Sequence, residues 1–500
     1  MRGSHETAAE TQLIIGGEWR PATSGRRYEV RNPARPSELV GSAAAGSRED
    51  ARAAVEAAHL AFPEWAALSY QERAAHLVGV ADGLAADSEE VDARVRLLTR
   101  EHGKVLKESR MEVTRLGDRF RYCASLADRL AADKRLAAPP FDTLITRRSR
   151  GVAALITPWN WPLSILGAKL PQALIAGNTV VIKLARSASL APALTVRHIA
   201  ERLPPGVVNL VTGSGSEVGN ELLTHPLVAK VNFTGGIETG RHVMATAAPT
   251  LKHITLELGG NDPALVLDDA DLGEEALRRM VLGTFLTSGQ VCMALKRLYV
   301  HESRYDELLE GFARIVDEYV VGDGLDPQVT MGPLNNRAQL EVVRKFVAEA
   351  REKGATVREL GRIADEGTFE EGYFHRPTLV TDADPSLKVV RCEQFGPVVP
   401  VMRFASDDEA IRMANETEFG LCSSVWSRDP ERAVGAARQL DAGYTYLNAH
   451  GPMAQDGRAP FGGVKQSGFG RNLGYEGVLE FMEYQSISSP PGWLLPGAGD

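Results

Sequence analysis

The spacing of hydrophobic residues divides the chain into regions of different predicted structure. Residues 13–45 carry short alternating runs separated by turn residues, which predicts a small strand-rich segment. Across residues 48–68 and 70–100, alanine and leucine recur at helical spacing among charged residues, and a further helix is predicted over residues 107–133. Residues 134–140 have the composition of a linker. The first quarter of the chain is therefore predicted to be mostly helical.

Short β-branched runs alternate with helical stretches from residue 151 onward. Strands are predicted at residues 151–157, 178–183, 207–211 and 228–234. Strands separated in this way form right-handed βαβ units in a parallel sheet, and ligands bind at the carboxyl ends of such strands. This region is therefore predicted to form an α/β domain with a binding site at one edge of its sheet.

The same rhythm starts again after the glycine pair at residues 259–260, which predicts a second α/β domain. Its helices are predicted up to about residue 287 and over residues 304–319. The tail at residues 482–489 alternates like an exposed strand, and an edge strand at a terminus often pairs with another subunit. Strands of this second domain are predicted at residues 264–267, 297–301, 384–403, 423–426 and 443–448.

Length and composition narrow the class of protein. The 500 residues exceed what one hydrophobic core usually organises, and 65 acidic against 56 basic residues argue against a nucleic-acid partner. The sequence lacks a long apolar run and a signal-peptide core, so we expect neither membrane insertion nor secretion. The four cysteines form no Cys-x-x-Cys pair and no cluster at zinc spacing, which predicts no metal site and a reduced, cytoplasmic setting.

Two residues suggest covalent thiol chemistry. Cys292 lies in Ser-Gly-Gln-Val-Cys-Met, and Glu257 ends an apolar run just before the glycine pair. A cysteine attacks as a thiolate, so its site should lower the thiol pKa from about 8.5. If both residues face one pocket, Cys292 forms a thioester and Glu257 activates the water that cleaves it. A buried cysteine packed as a small hydrophobe and a solvated glutamate remain the alternatives at this point.

Glycine-rich turns suggest a dinucleotide. The run from Gly213 through Gly215 to Gly219 is one residue longer than the usual dinucleotide fingerprint and is also compatible with a plain turn. Phe-Thr-Gly-Gly at residues 233–236 ends a predicted strand and opens a helix, where free N–H groups favour a phosphate. Lys183 ends another strand and either reaches a ribose or phosphate or is simply solvated.

Thr-Pro-Trp-Asn-Trp-Pro at residues 157–162 follows a predicted buried strand. Its prolines fix the backbone, so Asn160 could be a rigid donor of the oxyanion-hole type. A packing turn is the alternative reading of this segment.

Six motifs together resemble the ordered motif set of the aldehyde dehydrogenase superfamily, over roughly residues 13–490. The resemblance implies an α/β fold with two Rossmann-like parallel-sheet domains, one cofactor-binding and one catalytic, plus a small β oligomerisation arm. It implies an NAD(P)-binding domain at residues 11–128 and 148–257, a catalytic domain at 258–470, an arm at 129–147 and 471–500, and a homodimer or homotetramer. The motifs are Pro-Trp-Asn-Trp-Pro (158–162), Phe-Thr-Gly-Gly (233–236), Leu-Glu-Leu-Gly-Gly (256–260), Ser-Gly-Gln-Val-Cys (288–292), Glu-Gln-Phe-Gly-Pro (393–397) and Pro-Phe-Gly-Gly-Val-Lys-Gln-Ser-Gly (460–468).

The resemblance also implies NAD(P)+-dependent oxidation of an aldehyde to its acid through a hemithioacetal and a thioester. Cys292 would be the nucleophile and Glu257 the base, Asn160 and the Cys292 N–H would hold the oxyanion, and Lys169 would move protons. Relatives that transfer the acyl group to coenzyme A generally lack the carboxylate, so hydrolysis is expected. The implied cofactor residues are Thr157, Pro158, Trp159, Lys183, Arg186, Gly215, Gly219, Phe233, Gly235, Gly236, Leu258, Gly259, Glu393 and Phe395.

Three positions depart from the family pattern. Arg186 stands where NAD-preferring relatives carry a glutamate for the ribose hydroxyls, and a guanidinium can instead pair with a 2′-phosphate, so NADP is expected to be used well and even preferred. Gly236 replaces a serine of the phosphate motif, which removes one phosphate contact. Asn472 replaces a glutamate that is a proposed second proton acceptor, which leaves more of that work to Glu257 and Lys169.

The small-molecule aldehyde itself is left open by the sequence. Arg115 and Arg119 are four residues apart on one helical face and could select a carboxylate or phosphonate, or could belong to a solvated face. A cysteine hydrolase or acyltransferase assisted by His253 or His450, without hydride transfer, is an alternative; a non-catalytic relative is disfavoured by the intact catalytic residues. By alignment of the motifs, the residues expected around the aldehyde tunnel are Arg115, Trp161, Leu286, Met293, His450 and Met453.

Overall fold

The computed structural model describes residues 8–138 and 140–494. Among the described residues, the first half of the chain, through the strand that ends at Glu257, contains twelve strands and ten α-helices. The strands are β1 (Ala9–Thr11), β2 (Leu13–Ile15), β3 (Glu18–Arg20), β4 (Arg27–Asn32), β5 (Arg35–Ala44), β6 (Lys134–Ala138), β7 (Phe141–Ser149), β8 (Val152–Ile156), β9 (Thr179–Lys183), β10 (Val208–Leu210), β11 (Val228–Thr234) and β12 (His253–Glu257). The helices are α1 (Arg48–Ala67), α2 (Tyr70–Ala85), α3 (Ser88–His102), α4 (Leu106–Ser125), α5 (Ala127–Ala131), α6 (Pro162–Gly167), α7 (Leu170–Ile175), α8 (Leu190–Ala200), α9 (Asn220–Thr224) and α10 (Ile237–Ala247).

The second half repeats the alternation of strands and helices. Its strands are β13 (Asp262–Val266), β14 (Leu295–His301), β15 (Val320–Val321), β16 (Thr356–Glu359), β17 (Arg362–Ile363), β18 (Thr378–Thr381), β19 (Val398–Phe404), β20 (Cys422–Trp426), β21 (Tyr444–Leu447), β22 (Gly468–Phe469) and β23 (Met482–Ser489). Its helices are α11 (Glu274–Phe285), α12 (Tyr305–Val316), α13 (Arg337–Glu352), α14 (Glu366–Glu371), α15 (Lys388–Arg391), α16 (Asp407–Asn415), α17 (Pro430–Ala437) and α18 (Gly474–Leu479).

The first large sheet has eight strands in the order β22-β12-β11-β8-β9-β10-β2-β3. Strands β12, β11, β8, β9 and β10 are parallel, and the outer strands are antiparallel to their neighbours. Every residue of β8 is buried, as expected for a parallel strand covered on both faces. From β8 the chain continues to β9 and β10 on one side, and it then crosses to β11 on the other side of β8. The crevice at the carboxyl ends of β8, β9 and β11 is therefore a topological switch point.

The second large sheet has seven strands in the order β16-β18-β19-β14-β13-β20-β21, and β16 alone in it runs antiparallel to its neighbour. One hydrophobic cluster packs α11 and α12 on one face, and a second packs α13, α16 and α17 on the other. These two α/β units confirm the predicted fold class. The predicted domain boundaries remain a prediction.

A separate antiparallel sheet joins β23, β7 and β6 in that order. The predicted linker at residues 134–140 is wrong for residues 134–138, because β6 pairs with β7 along its length. The predicted tail strand at residues 482–489 coincides with β23. Residue 139 of that linker and residues 495–500 of the predicted arm lie outside the described residues.

Three further predictions needed correction. The single predicted helix at residues 70–100 is two helices, because Asp87 caps α3 by accepting hydrogen bonds from the N–H groups of Glu89 and Glu90. The helix predicted to residue 133 breaks at Leu126, between α4 and α5. The strand predicted at residues 384–403 contains α15, and β19 begins only at Val398.

None of the helices in residues 8–138 and 140–494 combines the length and the apolar composition that are needed to span a membrane.

Candidate active site

Cys292 lies in a tightly held turn just before β14. Thr287 and Ser288 precede it with left-handed backbone (φ 52° and 56°), a conformation that non-glycine residues adopt only when their surroundings hold it. The Glu108 carboxylate accepts hydrogen bonds from the Thr287 N–H (2.8 Å) and hydroxyl (3.1 Å), and the Ser288 hydroxyl donates to the Gly332 carbonyl (2.7 Å). These bonds fix the backbone that presents the Cys292 side chain.

Asn160 follows β8 and is tied to the same turn. Its side-chain Nδ2 donates to the carbonyl of Gln290, two residues before Cys292, at 3.0 Å. Its own carbonyl accepts from Lys104 Nζ at 2.8 Å. Because a carboxamide carries two N–H donors, the second N–H of Asn160 is left for another acceptor.

A buried ion pair supports this arrangement. Lys104 Nζ also donates to Glu112 Oε2 at 2.6 Å, and both side chains are shielded from solvent. The other oxygen of Glu112 accepts from the N–H groups of Leu163 (2.7 Å) and Ser164 (3.0 Å) in the first turn of α6. The pair therefore connects α4, the Asn160 turn and α6.

Glu257 ends β12 and is buried. Neither of its carboxyl oxygens has a hydrogen-bond partner within the part of the chain that the structure describes. Burial raises the pKa of this carboxyl to about 8, while Lys169 and Arg471 oppose the rise. This carboxyl is therefore mostly protonated at neutral pH and ionises as the pH rises toward 8, where it can act as a general base.

The Cys292 thiol does not follow the expectation of a lowered pKa. Burial raises the pKa of the thiol, and the carboxyls of Glu393, Asp262 and Glu257 add to the rise. The residues around the thiol therefore keep it protonated, and the proton must pass to a base before attack.

Lys169 is fully buried and donates to Asn232 Oδ1, and Asn232 Nδ2 donates to Asn472 Oδ1 at 2.8 Å. Burial lowers the pKa of Lys169 to about 7; Glu257 opposes this and Lys230 reinforces it. A lysine and a carboxyl that both titrate near neutrality can exchange protons. Asn472 is thus the last residue in a chain of hydrogen bonds from Lys169 through Asn232, and its amide does not supply a second proton acceptor.

A cleft opens on one side of Cys292, at the carboxyl ends of β8, β11 and β12. Trp159 and Phe395 meet edge to face across it, with ring centroids 5.4 Å apart. Glu393 Oε1 accepts from the Gly260 N–H at 3.1 Å, and a Cβ on Gly259 would overlap the Glu393 carboxyl. Burial raises the pKa of Glu393 to about 7. The cleft is lined by Pro158, Trp159, Asn160, Thr234, Gly235, Gly236, Leu258, Gly259, Cys292, Gln339, Val342, Glu393 and Phe395.

The other predicted cofactor residues lie outside this lining. Thr157 and Lys183 follow or end neighbouring strands β8 and β9 on the same edge of the sheet. Phe233 lies in β11, and Gly215 and Gly219 bound a π-helical turn after β10.

Arg186 is exposed and its guanidinium lies over the Tyr28 ring, 4.5 Å from the centroid. Burial lowers the pKa of the nearby Lys183 to about 8, and Arg186 contributes to that shift. Two cations therefore lie close together at the carboxyl end of β9.

Several features of this edge fit a dinucleotide. The hydroxyls of Thr157 and Thr234 are buried without a hydrogen-bond partner among the described residues. Gly236 is the N-cap of helix α10 and gives it no side-chain cap, and a Cβ on Gly236 would meet only open space, so the first N–H groups of the helix are available to a phosphate. The chain therefore offers unused donors where a cofactor would bind.

A second cavity opens on the other side of Cys292. Of the six residues expected around the aldehyde tunnel, Arg115, Trp161, Met293 and Met453 line this cavity. Leu286 packs in the adjoining hydrophobic cluster, and His450 is buried with its Nδ1 at 2.8 Å from the Ser424 hydroxyl, so neither is in the lining. The lining comprises Met111, Arg115, Leu116, Arg119, Asn160, Trp161, Ser164, Ile165, Ala168, Thr234, Glu257, Val291, Cys292, Met293, Pro452, Met453, Gln455, Phe461, Asn472 and Leu473.

Sequence reasoning missed part of this lining. Met111 stands four residues before Arg115 on α4, so helical spacing could have identified it. Phe461 and Leu473 come from segments far apart in the sequence, and no local pattern marks them.

The cleft and the cavity meet at Asn160, Thr234 and Cys292, which line both. His253, the first residue of β12, lies with its Nε2 3.0 Å from Glu483 Oε1. Neither His253 nor His450 lines the cleft or the cavity. The two histidines of the hydrolase alternative thus have no place beside Cys292.

Comparison with known proteins gives the same family throughout. Residues 19–487 match the model of the aldehyde dehydrogenase family. The chain is 37% identical to a chloroplastic betaine aldehyde dehydrogenase of Beta vulgaris, covering 96% of this chain and 98% of that protein. It is also 37% identical to a succinate-semialdehyde dehydrogenase [NADP(+)] of Escherichia coli, covering 94% and 96%. Among solved structures, a betaine aldehyde dehydrogenase from Staphylococcus aureus in complex with NAD+ is similar with a TM-score of 0.90 at 32% identity, covering 98% of this chain and 97% of that one.

Proposed function

The chain belongs to the aldehyde dehydrogenase family, and from that premise we propose that it oxidises an aldehyde to the carboxylic acid by covalent catalysis at Cys292, with NAD or NADP as cofactor. The observation that carries the proposal is the position of Cys292 and Asn160, which line both the cofactor-side cleft and the opposite cavity. A substrate carbonyl in the cavity would thus reach the thiol beside the cleft.

The first half of the reaction uses the thiol and the amide. Cys292 Sγ adds to the carbonyl carbon, the thiol proton passes to Glu257, and the carbonyl oxygen becomes an oxyanion. The N–H of Asn160 that Gln290 does not use, together with the Cys292 backbone N–H, stabilises that charge. A bound nicotinamide supplies the hydride acceptor.

The second half of the reaction is hydrolysis. Once the carbon is oxidised, Cys292 carries the acyl group as a thioester. Lys169, through its low pKa, first relays the thiol proton of the first half away from Glu257. Glu257 then takes a proton from water as the water oxygen attacks the thioester carbon. The C–S bond breaks, the Cys292 thiolate takes that proton back from Glu257, and the carboxylic acid is released.

The edge of the first sheet is proposed to hold the cofactor. The N–H groups at Gly235 and Gly236 would bind the phosphates, and Glu393 would bind the ribose nearest the nicotinamide. Lys183 and Arg186 would bind the adenine-side ribose. Because position 186 carries an arginine and not a carboxylate, a 2′-phosphate is attracted there, which supports efficient use of NADP.

Incubation of the purified chain with a panel of aldehydes and either nucleotide, followed by absorbance of the reduced cofactor, tests the proposal. Cys292→Ala should lose turnover by at least about 10³-fold, because no other group forms the covalent bond. Cys422→Ala is the control, since that buried cysteine lines neither the cleft nor the cavity. Full activity of Cys292→Ala would refute the covalent mechanism.

Glu257→Gln should form the thioester more slowly, because Lys169 is then the remaining base for the thiol proton, and should fail to cleave it. A burst of reduced cofactor, at most one equivalent per site, should precede a slow steady state. Unimpaired steady turnover would show that another base acts.

We also propose a homo-oligomer and a cytoplasmic setting. The proposal for assembly rests on the exposed sheet of β6, β7 and β23. The setting is supported by Cys123, Cys292, Cys392 and Cys422, which are all free thiols.

A further inference from the structure

The walls of the substrate cavity carry more positive than negative charge. Among its lining residues the ionisable groups besides the Cys292 thiol are Arg115, Arg119 and Glu257. Burial raises the pKa of Glu257 to about 8, so this carboxyl is largely protonated at neutral pH. The cavity is therefore cationic before any substrate enters.

The two arginines differ from the others on the same helix. On α4, Arg110 pairs with Asp92 at 2.7 Å and Arg121 pairs with Asp82 at 2.6 Å. Within residues 8–138 and 140–494, Arg115 and Arg119 make no such hydrogen bond or ion pair. Two arginines one helical turn apart thus line the cavity, Arg115 exposed and Arg119 half-buried, and their N–H donors remain available to a ligand.

The loop opposite α4 adds to this donor set. Gln455 lines the cavity, and its Nε2 is buried without a hydrogen-bond partner in the described part of the chain. The backbone of Gly457 packs directly on the Arg119 guanidinium, so that a Cβ there would overlap Nη1. Asp456 is bound by Arg458 through both carboxylate oxygens, and it acts on Arg119 only as a nearby charge.

From this wall we infer that the substrate is an aldehyde with a carboxylate at its other end, and that Arg115, Arg119 and Gln455 bind that carboxylate. The inference rests on the proposed aldehyde oxidation. Guanidinium groups bind carboxylates through paired N–H donors, and a positive wall rejects a cationic aldehyde. The aromatic ring of Trp161 does not provide a site for a cationic aldehyde, because Lys104 Nζ already lies 4.3 Å from the centroid of that ring.

The family likeness does not choose between the two charges. A betaine aldehyde dehydrogenase and a succinate-semialdehyde dehydrogenase are equally identical to the chain at 37%. One of those names specifies a cationic aldehyde and the other an anionic one. The unpaired arginines of this chain favour the second.

The test compares aldehydes of similar size and different charge. With the full chain and saturating cofactor, kcat/KM is measured for 4-oxobutanoate and 5-oxopentanoate, for their methyl esters, for pentanal and for 4-(trimethylammonio)butanal. We expect at least one oxo acid to exceed its ester by tenfold or more, and the cationic aldehyde to be the poorest substrate.

Variants then assign the effect to the wall. Arg119→Gln should lower the ratio of oxo acid to ester at least tenfold, mainly through KM. Gly457→Ala, which displaces the guanidinium but keeps its charge, should lower the same ratio. Arg121→Gln on the same helix is the matched control and should keep it, since Arg121 pairs with Asp82 on the surface.

The outcomes separate the inference from the reaction on which it rests. Oxidation of neutral aldehydes without preference for an oxo acid, or equal losses for acid and ester in Arg119→Gln, would overturn the inference alone. If none of these aldehydes is oxidised with either nucleotide, the proposed function fails and the inference fails with it.

Discussion

At the scale of single residues, the chemistry depends on two buried groups that titrate near neutrality. Glu257 and Lys169 have ordinary pKa values far apart, and burial brings them to about 8 and about 7. Each favours the charged form of the other, so they titrate as a pair. A proton can therefore move between them at little cost in free energy.

This pairing predicts a pH dependence. The carboxylate form of Glu257 grows as pH rises through its pKa, so steady-state kcat should increase from pH 6.5 to pH 9. Lys169→Met removes the cation that lowers the pKa of Glu257, which moves the rising limb to higher pH and lowers kcat at pH 7 roughly three- to tenfold. Lys345→Met, on the exposed side of α13, is the control. A pH profile that is the same in Lys169→Met and in the unmodified enzyme would remove Lys169 from the proton path.

Arg186 predicts the choice of nucleotide. An exposed guanidinium stacked on Tyr28 and close to Lys183 can pair with a 2′-phosphate. We expect kcat/KM for NADP to equal or exceed that for NAD, and Arg186→Glu to shift the ratio toward NAD by about 10- to 100-fold. Arg197→Glu, on the exposed side of α8, should not shift it. A tenfold preference of the unmodified enzyme for NAD would reject the role of Arg186.

At the scale of elements, the buried pair of Lys104 and Glu112 holds three segments in place. Removing one partner leaves an uncompensated charge in the interior, which costs about 3–5 kcal/mol. Lys104→Met should therefore lower the free energy of unfolding in urea by that amount, and it should lower kcat because the Asn160 carbonyl loses its donor. Arg110→Met breaks an exposed pair between α4 and α3 and should cost less than about 1 kcal/mol. Equal losses in the two variants would contradict this role.

The elements also show what the sequence could and could not predict. Strand β11 and the tail strand β23 were predicted to the residue, because β-branched alternation between turns is a local signal. The role of Lys104 could not be predicted, because its partners come from α4 and from the turn after β8, and only the folded chain brings them together. The pKa of Cys292 could not be predicted either, because it depends on burial in the folded chain: burial raises the pKa where the motif alone suggested a lowered value.

At the scale of the whole molecule, one face of the three-stranded sheet remains uncovered. The registers of β6, β7 and β23 place Leu136, Phe141 and Tyr484 on the same face, and these side chains are 45%, 60% and 60% exposed. Large apolar side chains grouped on a narrow sheet mark an interface. We therefore expect the 54.1 kDa chain to run as a dimer or larger assembly in light scattering after size exclusion.

A charged residue on this face should weaken the assembly. Phe141→Glu combined with Tyr484→Glu places two carboxylates where an apolar contact is needed, so the mass should fall toward that of one chain at micromolar concentration. Leu60→Glu, at a 79% exposed position on α1, is the matched control and should leave the mass unchanged. If the double variant keeps the mass of the unmodified protein, the interface lies elsewhere; if the unmodified protein is already a monomer, the uncovered face needs another partner. Because Met482 at the start of β23 packs in the same hydrophobic cluster as α7, loss of the assembly should also loosen the C-terminal segment, which hydrogen exchange can measure.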